Sequence, residues 1–400
     1  MFSVSNILAN HAAGNEDLRY GHTHRDRGFQ PAGTKAYNIH PDAPRPVVVW
    51  AVTRACNLRC VHCYASANAD PAPNELSHEE GIALLDNLAE FQVPAVLFSG
   101  GEPLVRPDTL ELMKYAKSLG INCTLSTNGL LIDQSTANKL ADIGIKYVGI
   151  SVDGLRDNHD KLRGMKGAFD QTMEAIKRCT STGIKVGARF TVHALNYHQL
   201  DDIIDLCAEN NIDRLCVYHL AYSGRGGKMQ KVDLTSDQTR TVVDRIFERT
   251  VELHAAGSPL EVLTVGNHAD PAYAILALQQ KNPQKAEEIW KQLRGTGGNR
   301  SGSNISSIDP MGNVHYDQFS WHYNCGNIRE QKFSDIWANA TDPRLARLRD
   351  RKDHLPPRCK SCRFLDICNG NLRTRAEAAT DNWLGMDPSC YLNDTEIAQH

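Results

Sequence analysis

The chain has 400 residues, of which 41% are hydrophobic and 23% charged, the balance of an ordinary globular protein with material for two or three domains. A net charge of −3 and a pI near 6.6, with Lys and Arg scattered along the chain, exclude a basic nucleic-acid-binding stripe but leave room for a small anionic ligand. The longest apolar run near the start, Val47 to Val52, is too short to cross a membrane and follows no charged-then-apolar leader. A cytoplasmic location is expected, with neither membrane nor nucleic acid as partner. Twelve cysteines there should stay reduced, so clusters of them point to metal or cofactor ligation.

Residues 1–46 are rich in Gly, Pro, Asn and His, lack a sustained apolar period, and read as an irregular arm with one short helix at most. Apolar strands follow at 47–53, 94–99, 121–126, 146–152, 185–192 and 213–220, and the segments between them have helical periodicity. The first helix opens on a capping box, Ser77 with Glu80, and shows Leu84, Leu85, Leu88 and Phe91 on one face. The second carries Leu112, Met113, Ala116 and Leu119 before Gly120 ends it, and the fifth carries Leu200, Ile203, Ile204 and Cys207. Six strand–helix repeats over 47–222 predict an α/β fold with a parallel sheet, open or curled toward a barrel, and functional residues at the carboxyl ends of its strands. Residues 223–300 read as a helical and loop connection, and 301–400 as a small cysteine-rich domain with a tail.

Four cysteines have core spacing: Cys123 on a strand, Cys179 and Cys207 on helix stripes, Cys216 within an apolar run. Eight are then left. Cys56, Cys60 and Cys63 follow the first strand as C-x3-C-x2-C, and Cys325, Cys359, Cys362, Cys368 and Cys390 lie in the last quarter. Three thiols in one loop admit a disulfide with a spare, a zinc knuckle short of one ligand, or a [4Fe–4S] cluster with one iron left open. A structural zinc wants four ligands, and His62, between two of the cysteines, is expected to face solvent, so zinc fits poorly. The later C-x2-C-x5-C-x21-C set supplies four thiolates at once, enough for a zinc ribbon or a cluster.

The three-cysteine loop ends in Tyr64, and "SGGEP" at Ser99 to Pro103, "STNG" at Ser126 to Gly129 and "SVDG" at Ser151 to Gly154 end the next three strands. This set resembles the radical S-adenosylmethionine (SAM) superfamily. The resemblance implies a partial (β/α)6 barrel in which Cys56, Cys60 and Cys63 hold a [4Fe–4S] cluster. There an electron from an external donor cleaves SAM to methionine and a 5'-deoxyadenosyl radical. It further implies SAM contacts from Tyr64, Gly100, Gly101, Glu102, Ser126, Asn128, Ser151, Asp153 and Arg163. Gly100 and Gly101 would let the backbone approach the amino group, Glu102 would hold the turn, and Ser151 with Arg163 would hold ribose and carboxylate.

The C-terminal set, with "IDPMGNVHY" and "GNIREQKFSDIW" before it, resembles the SPASM/twitch domain. That resemblance implies an auxiliary [4Fe–4S] cluster on Cys359, Cys362, Cys368 and Cys390. Asp317 and Leu372 stand where the full pattern has cysteines, so one auxiliary cluster is expected, with Cys325 a substitute ligand, a substrate-facing group or inert. Polar runs at Tyr222 to Gly227, Val265 to Pro271 and Gly297 to Gly302 resemble the tetrapyrrole-modifying branch, and within it the NirJ type of d1-haem biosynthesis enzymes. These remove propionates from 12,18-didecarboxysirohaem. An iron tetrapyrrole is then the expected substrate, with Arg225, His268, Asn299, Arg300 and Cys325 as contacts and His22 or His24 as a candidate iron ligand. Sister enzymes of the haem pathway, which remove acetates or oxidise propionates to vinyls, share the layout. A radical SAM peptide maturase is a further alternative, disfavoured because no N-terminal winged-helix region is apparent, and a zinc-only, non-catalytic protein comes last.

Overall fold

The computed structural model describes residues 1–10, 43–296 and 298–398. Among these, ten strands form one sheet: β1 (Phe2–Ser3), β2 (Val47–Ala51), β3 (Ala95–Ser99), β4 (Asn122–Thr127), β5 (Tyr147–Ser151), β6 (Lys185–Val192), β7 (Arg214–His219), β8 (Glu261–Val265), β9 (Ile305–Ile308) and β10 (Val314–His315). Their order is β1-β8-β7-β6-β5-β4-β3-β2-β9-β10. The run from β2 to β7 is parallel throughout and corresponds to the six strands expected from sequence. A parallel sheet is covered on both faces, so its strands are apolar almost continuously: Val48, Trp50, Val96, Phe98, Val148 and Ile150 are all fully buried.

Helices cover the sheet as the periodicity required. The helix His78–Glu90 begins with the complete Ser77/Glu80 capping box and buries Leu84, Leu85 and Leu88. The helix Leu200–Glu209 buries Leu200, Ile203, Ile204 and Cys207. Cys123, Cys179, Cys207 and Cys216 are core residues. No helix of the described residues is long and apolar enough to cross a membrane.

The sheet extends beyond the expected six strands on both sides. β8, from the stretch read as helices and loops, lies parallel to β7, and β1 covers its outer edge antiparallel. Glu261 opens β8 and made it look polar; Arg214 Nε and Nη2 donate to its Oε2 at 2.8 and 2.6 Å. That pairing makes burial of the strand tolerable. On the other side β9 pairs parallel with β2 and antiparallel with β10, a hairpin that precedes the helix Phe333–Asn339. The first residues of the arm are ordered as β1 and a short helix, Val4–Leu8; His22 and His24 lie outside the described residues.

The parallel strands curl around one space. Val49, Leu97, Ser126, Ser151, Arg189 and Tyr218, one from each of β2 to β7, line a single cavity. Gln318 and Phe319, from beyond the β9–β10 hairpin, form another part of its wall.

Candidate active site

The cavity measures about 220 Å³ and lies at the carboxyl ends of the strands. Cys56, Cys60 and Cys63 all line it. Each sulfur accepts at least one N–H: Cys56 from the Leu58 amide at 3.4 Å and Asn128 Nδ2 at 4.0 Å, Cys60 from Arg163 Nη1 at 3.5 Å, Cys63 from the Ala67 amide at 3.4 Å. Burial pushes the free Cys56 thiol up to about 12 and the Cys60 thiol upward. A bound metal reverses that preference by taking thiolates. Three sulfurs around one space, each supported by a donor, fit a cluster held at three corners.

The loop is fixed from several sides. Arg225 donates Nε to the Cys60 carbonyl and Nη1 to the Ala67 carbonyl, both at 2.7 Å. Gly101 and Glu102 amides bond the carbonyls of Thr53 and Ala55 at 2.8 Å. A Cβ on Gly100 would come within 2.4 Å of the Thr53 carbonyl oxygen, and one on Gly101 within 2.2 Å of that of Ala55. Both glycines line the cavity, yet the contact that demands glycine is with the cysteine loop itself. Gly100 also has φ +146°, in the range glycine favours.

Glu102 is fully buried and outside the cavity lining. It accepts from Thr127 Oγ1 at 2.7 Å, the Asn128 amide at 2.8 Å and the Leu104 amide at 3.2 Å, tying the end of β3 to the end of β4. Burial outweighs these bonds and pushes its carboxyl up to about 7. Asn128 extends the tie by donating Nδ2 to Asn57 Oδ1 at 2.7 Å, within the cysteine loop. Tyr64 and Ser99 hydroxyls are 3.2 Å apart.

Asp153, expected to contact SAM, is also fully buried and not on the cavity wall. It pairs with Arg163 Nη2 and, at 3.0 Å, with His62 Nε2, and accepts from the Thr191 amide at 3.0 Å. Burial alone would raise its pKa, but Arg163 and His62 prevail and hold it well below the carboxylate range. Asp153 therefore positions Arg163, which does line the cavity along with Ser126 and Ser151. His62 is turned inward onto this carboxylate, against the expectation that it faces solvent; a side chain between two loop cysteines gave no sign of its buried partner.

The expected substrate contacts divide. Arg225 reaches the cavity, whereas His268, Asn299, Arg300 and Cys325 are not on its wall. Asn299 is bound into the C-terminal part: its Oδ1 accepts from Arg351 Nη1 at 2.7 Å and its amide donates to the Cys368 carbonyl at 3.1 Å. Arg300 reaches the Gly295 carbonyl and Asn304 Oδ1, both at 3.4 Å. The His268 amide donates to Asn371 Oδ1 at 2.7 Å, and burial holds its imidazole pKa well below the usual value. Cys325 is buried behind β10, its amide on the Val314 carbonyl at 2.8 Å, and burial raises its pKa. Sequence reasoning missed Arg189, Tyr218, His219 and Phe319. A charged residue inside the apolar strand "VGARFTV" was the available signal for Arg189.

Cys359, Cys362, Cys368 and Cys390 line a second, small cavity of about 30 Å³ together with Arg358 and Asp387. Arg358 Nη1 lies 3.7 Å from Cys390 Sγ, and the Phe364 amide donates to Cys362 Sγ at 3.4 Å. Burial and the neighbouring thiols push the free Cys368 thiol well up, a preference that a bound metal reverses; four sulfurs on one small cavity are the donor set of a tetrathiolate cluster. Asp317 instead accepts from Ser301 Oγ at 2.5 Å, and Leu372 is an apolar core residue. Neither offers a sulfur.

Residues 50–207 match the model of the radical SAM superfamily, and residues 300–363 that of the SPASM iron–sulfur cluster-binding domain. Cys368 and Cys390 lie past the second match. The chain is 46% identical to an Fe-coproporphyrin III synthase of Methanosarcina barkeri over 100% of each chain. It is 39% identical to a pre-heme d1 synthase of Dinoroseobacter shibae over 88% of each. The solved structure of Streptococcus suis SuiB bound to S-adenosylmethionine has TM-score 0.69 at 22% identity, covering 88% of this chain and 78% of that one, a likeness of fold. The radical SAM domain binds SAM and a [4Fe–4S] cluster, and the SPASM domain binds auxiliary iron–sulfur clusters. The chain thus belongs to the radical SAM enzymes with a SPASM domain, in the family that contains the haem synthases.

Proposed function

We propose that this enzyme removes carboxylate-bearing side chains from an iron tetrapyrrole, with Cys56, Cys60 and Cys63 holding the SAM-binding cluster and Cys359, Cys362, Cys368 and Cys390 a single auxiliary one. When bound, SAM and its cluster supply a 5'-deoxyadenosyl radical that takes hydrogen from an unactivated C–H. The protein decides which hydrogen is nearest. Arg163, fixed by Asp153, lines the cavity together with Arg189, Tyr218 and His219, and Phe319 packs edge-on against Tyr64 with ring centroids 5.4 Å apart. A cavity of about 220 Å³ suits a ring side chain reaching in toward SAM while the bulk of the macrocycle lies outside.

The observation that carries this reading is the meeting of the three-thiol loop and an arginine without an acidic partner in one cavity. The relatives narrow it. Full-length similarity at 46% to an Fe-coproporphyrin III synthase supports loss of acetates, the sister reaction, ahead of the propionate loss of the d1 branch. The second reading keeps its support from the pre-heme d1 synthase at 39%.

Anaerobic incubation of reconstituted enzyme with 12,18-didecarboxysirohaem, SAM and reductant tests both by mass analysis. We expect 5'-deoxyadenosine and tetrapyrroles lacking acetates. Loss of propionates would assign the d1-type reaction and vinyl formation the oxidative sister. No tetrapyrrole binding or turnover would turn the assignment to a peptide substrate.

A further inference from the structure

Three arginines among the described residues line the main cavity, and their charges are answered in different ways. Arg163 is paired with Asp153 and donates to Cys60. Arg225 donates to two loop carbonyls. Arg189, on β6, donates Nη1 to Ser126 Oγ, its Nε has no partner, and no carboxylate of the described residues pairs with it. The titratable groups that act most strongly on it are Tyr218, Tyr147, Cys216 and Tyr64, phenols and a thiol that are uncharged near pH 7.

The backbone around Arg189 is shaped for it. Gly149 lies on the adjacent strand, and a Cβ there would fall 2.3 Å from Arg189 Nε. A glycine inside a strand commonly marks such a close approach. Ser151 pairs in register with Arg189 across β5 and β6, and Ser126 is the next-to-last residue of β4; both serines line the same cavity. Arg189 is half-buried; a cation partly withdrawn from water without a counter-charge is costly, and the cost falls when an anion enters. The planar guanidinium with flanking hydroxyls matches a carboxylate, which takes two parallel N–H bonds.

We infer that Arg189, with Ser126 and Ser151, forms a carboxylate-binding subsite inside the cavity. Its ligand is the carboxylate of SAM or a carboxylate side chain of the tetrapyrrole. The second source rests on the proposed function; the first does not. The family resemblance implies Arg163, with Ser151, as the contact for the SAM ribose and carboxylate, but Asp153 already pairs with the Arg163 charge.

Holoenzyme carrying Arg189→Gln or Arg189→Lys tests this by equilibrium binding. SAM and decarboxylated SAM are titrated by calorimetry; 12,18-didecarboxysirohaem and its methyl ester are followed by their visible absorbance. We expect Arg189→Gln to weaken one carboxylate ligand by about 10- to 100-fold, with Arg189→Lys intermediate and the counterpart without a free carboxylate bound equally by wild type and variant. A loss confined to SAM identifies the cofactor as source, and one confined to the free acid of the tetrapyrrole identifies the substrate. Unchanged affinity for both acids, or an equal loss for each acid and its counterpart without a free carboxylate, overturns the subsite. Should the Gln variant fail to retain iron, the Lys variant carries the same comparison. A wild type that binds no tetrapyrrole refutes the proposed function, while the SAM titration still decides the subsite.

Discussion

Arg375 and Asp387 form a buried ion pair with two bonds, Nε to Oδ1 and Nη2 to Oδ2, both 2.9 Å. Arg375 also donates to the carbonyl of Leu220 at 3.1 Å, just past β7, and to that of Gly266 at 2.8 Å, just past β8. Leu220 lines the main cavity and Asp387 the small one. One side chain therefore ties the walls of both cysteine sites together.

Removing Arg375 leaves Asp387 as a buried charge without its partner, so Arg375→Ala should destabilise the protein by about 3 to 5 kcal/mol. Chemical unfolding of the variant beside wild type measures this. A difference within error would mean that the two parts are held mainly by other contacts.

Replacing Cys56, Cys60 and Cys63 together by Ala should abolish SAM cleavage but leave roughly four iron atoms per chain, one cluster's worth. Iron analysis with chromatography for 5'-deoxyadenosine reads both. Complete loss of iron from a folded variant would show that the later four cysteines do not hold a cluster by themselves.

Gly101→Ala places a methyl group against the carbonyls of Ala55 and Arg54, 2.2 and 2.6 Å from the new carbon. The cysteine loop must then shift. We expect the variant to lose the first cluster selectively while the auxiliary iron stays. Full iron content and normal SAM cleavage would show that the loop yields more easily than its backbone bonds suggest.

Arg163 keeps Nε unpartnered at the cavity wall. Arg163→Ala should weaken SAM binding by roughly one to two powers of ten and lower the melting temperature, since Asp153 keeps only His62 as an ionic partner. Calorimetric titration decides it, and unchanged SAM affinity would remove Arg163 from the cofactor site.

Glu102 gives a pH effect of defined sign. Its carboxyl is raised from 4.5 to about 7 in the folded chain, so between those values the folded state holds a proton that the unfolded state has released. Stability should fall as pH rises through that window, by about 3 kcal/mol, and level off above it. Glu102→Gln, which cannot titrate, should flatten this part of the profile. A wild-type slope unchanged by the substitution would assign the effect to another group.

Local order carried most of the fold in the sequence. The Ser77/Glu80 box, the stripe Leu200, Ile203, Ile204 and Cys207, and the cysteine sorting depend on neighbours a few residues away, and the structure repeats them. β8 was hidden because the partner that makes Glu261 tolerable, Arg214, is 47 residues away. The inward turn of His62 onto Asp153 and the separation of Asn299 from the cavity are likewise set by contacts between distant segments. Gly149 and Arg189 were visible singly; only strand register shows that one makes room for the other.

The pairing of β9 with β2 bears on how such enzymes can be recombined. Ile305–Ile308 bonds directly to the strand that delivers the cysteine loop, so a graft cut near residue 300 would transplant a piece of the host's own sheet. A foreign segment would have to match Val47 to Trp50 in register and side-chain volume before it could offer any cluster. Exchange of the auxiliary part between relatives is thus limited by strand complementarity, and a library of chimaeras would do better to vary the loops around Gln318 and Phe319 and leave β9 untouched.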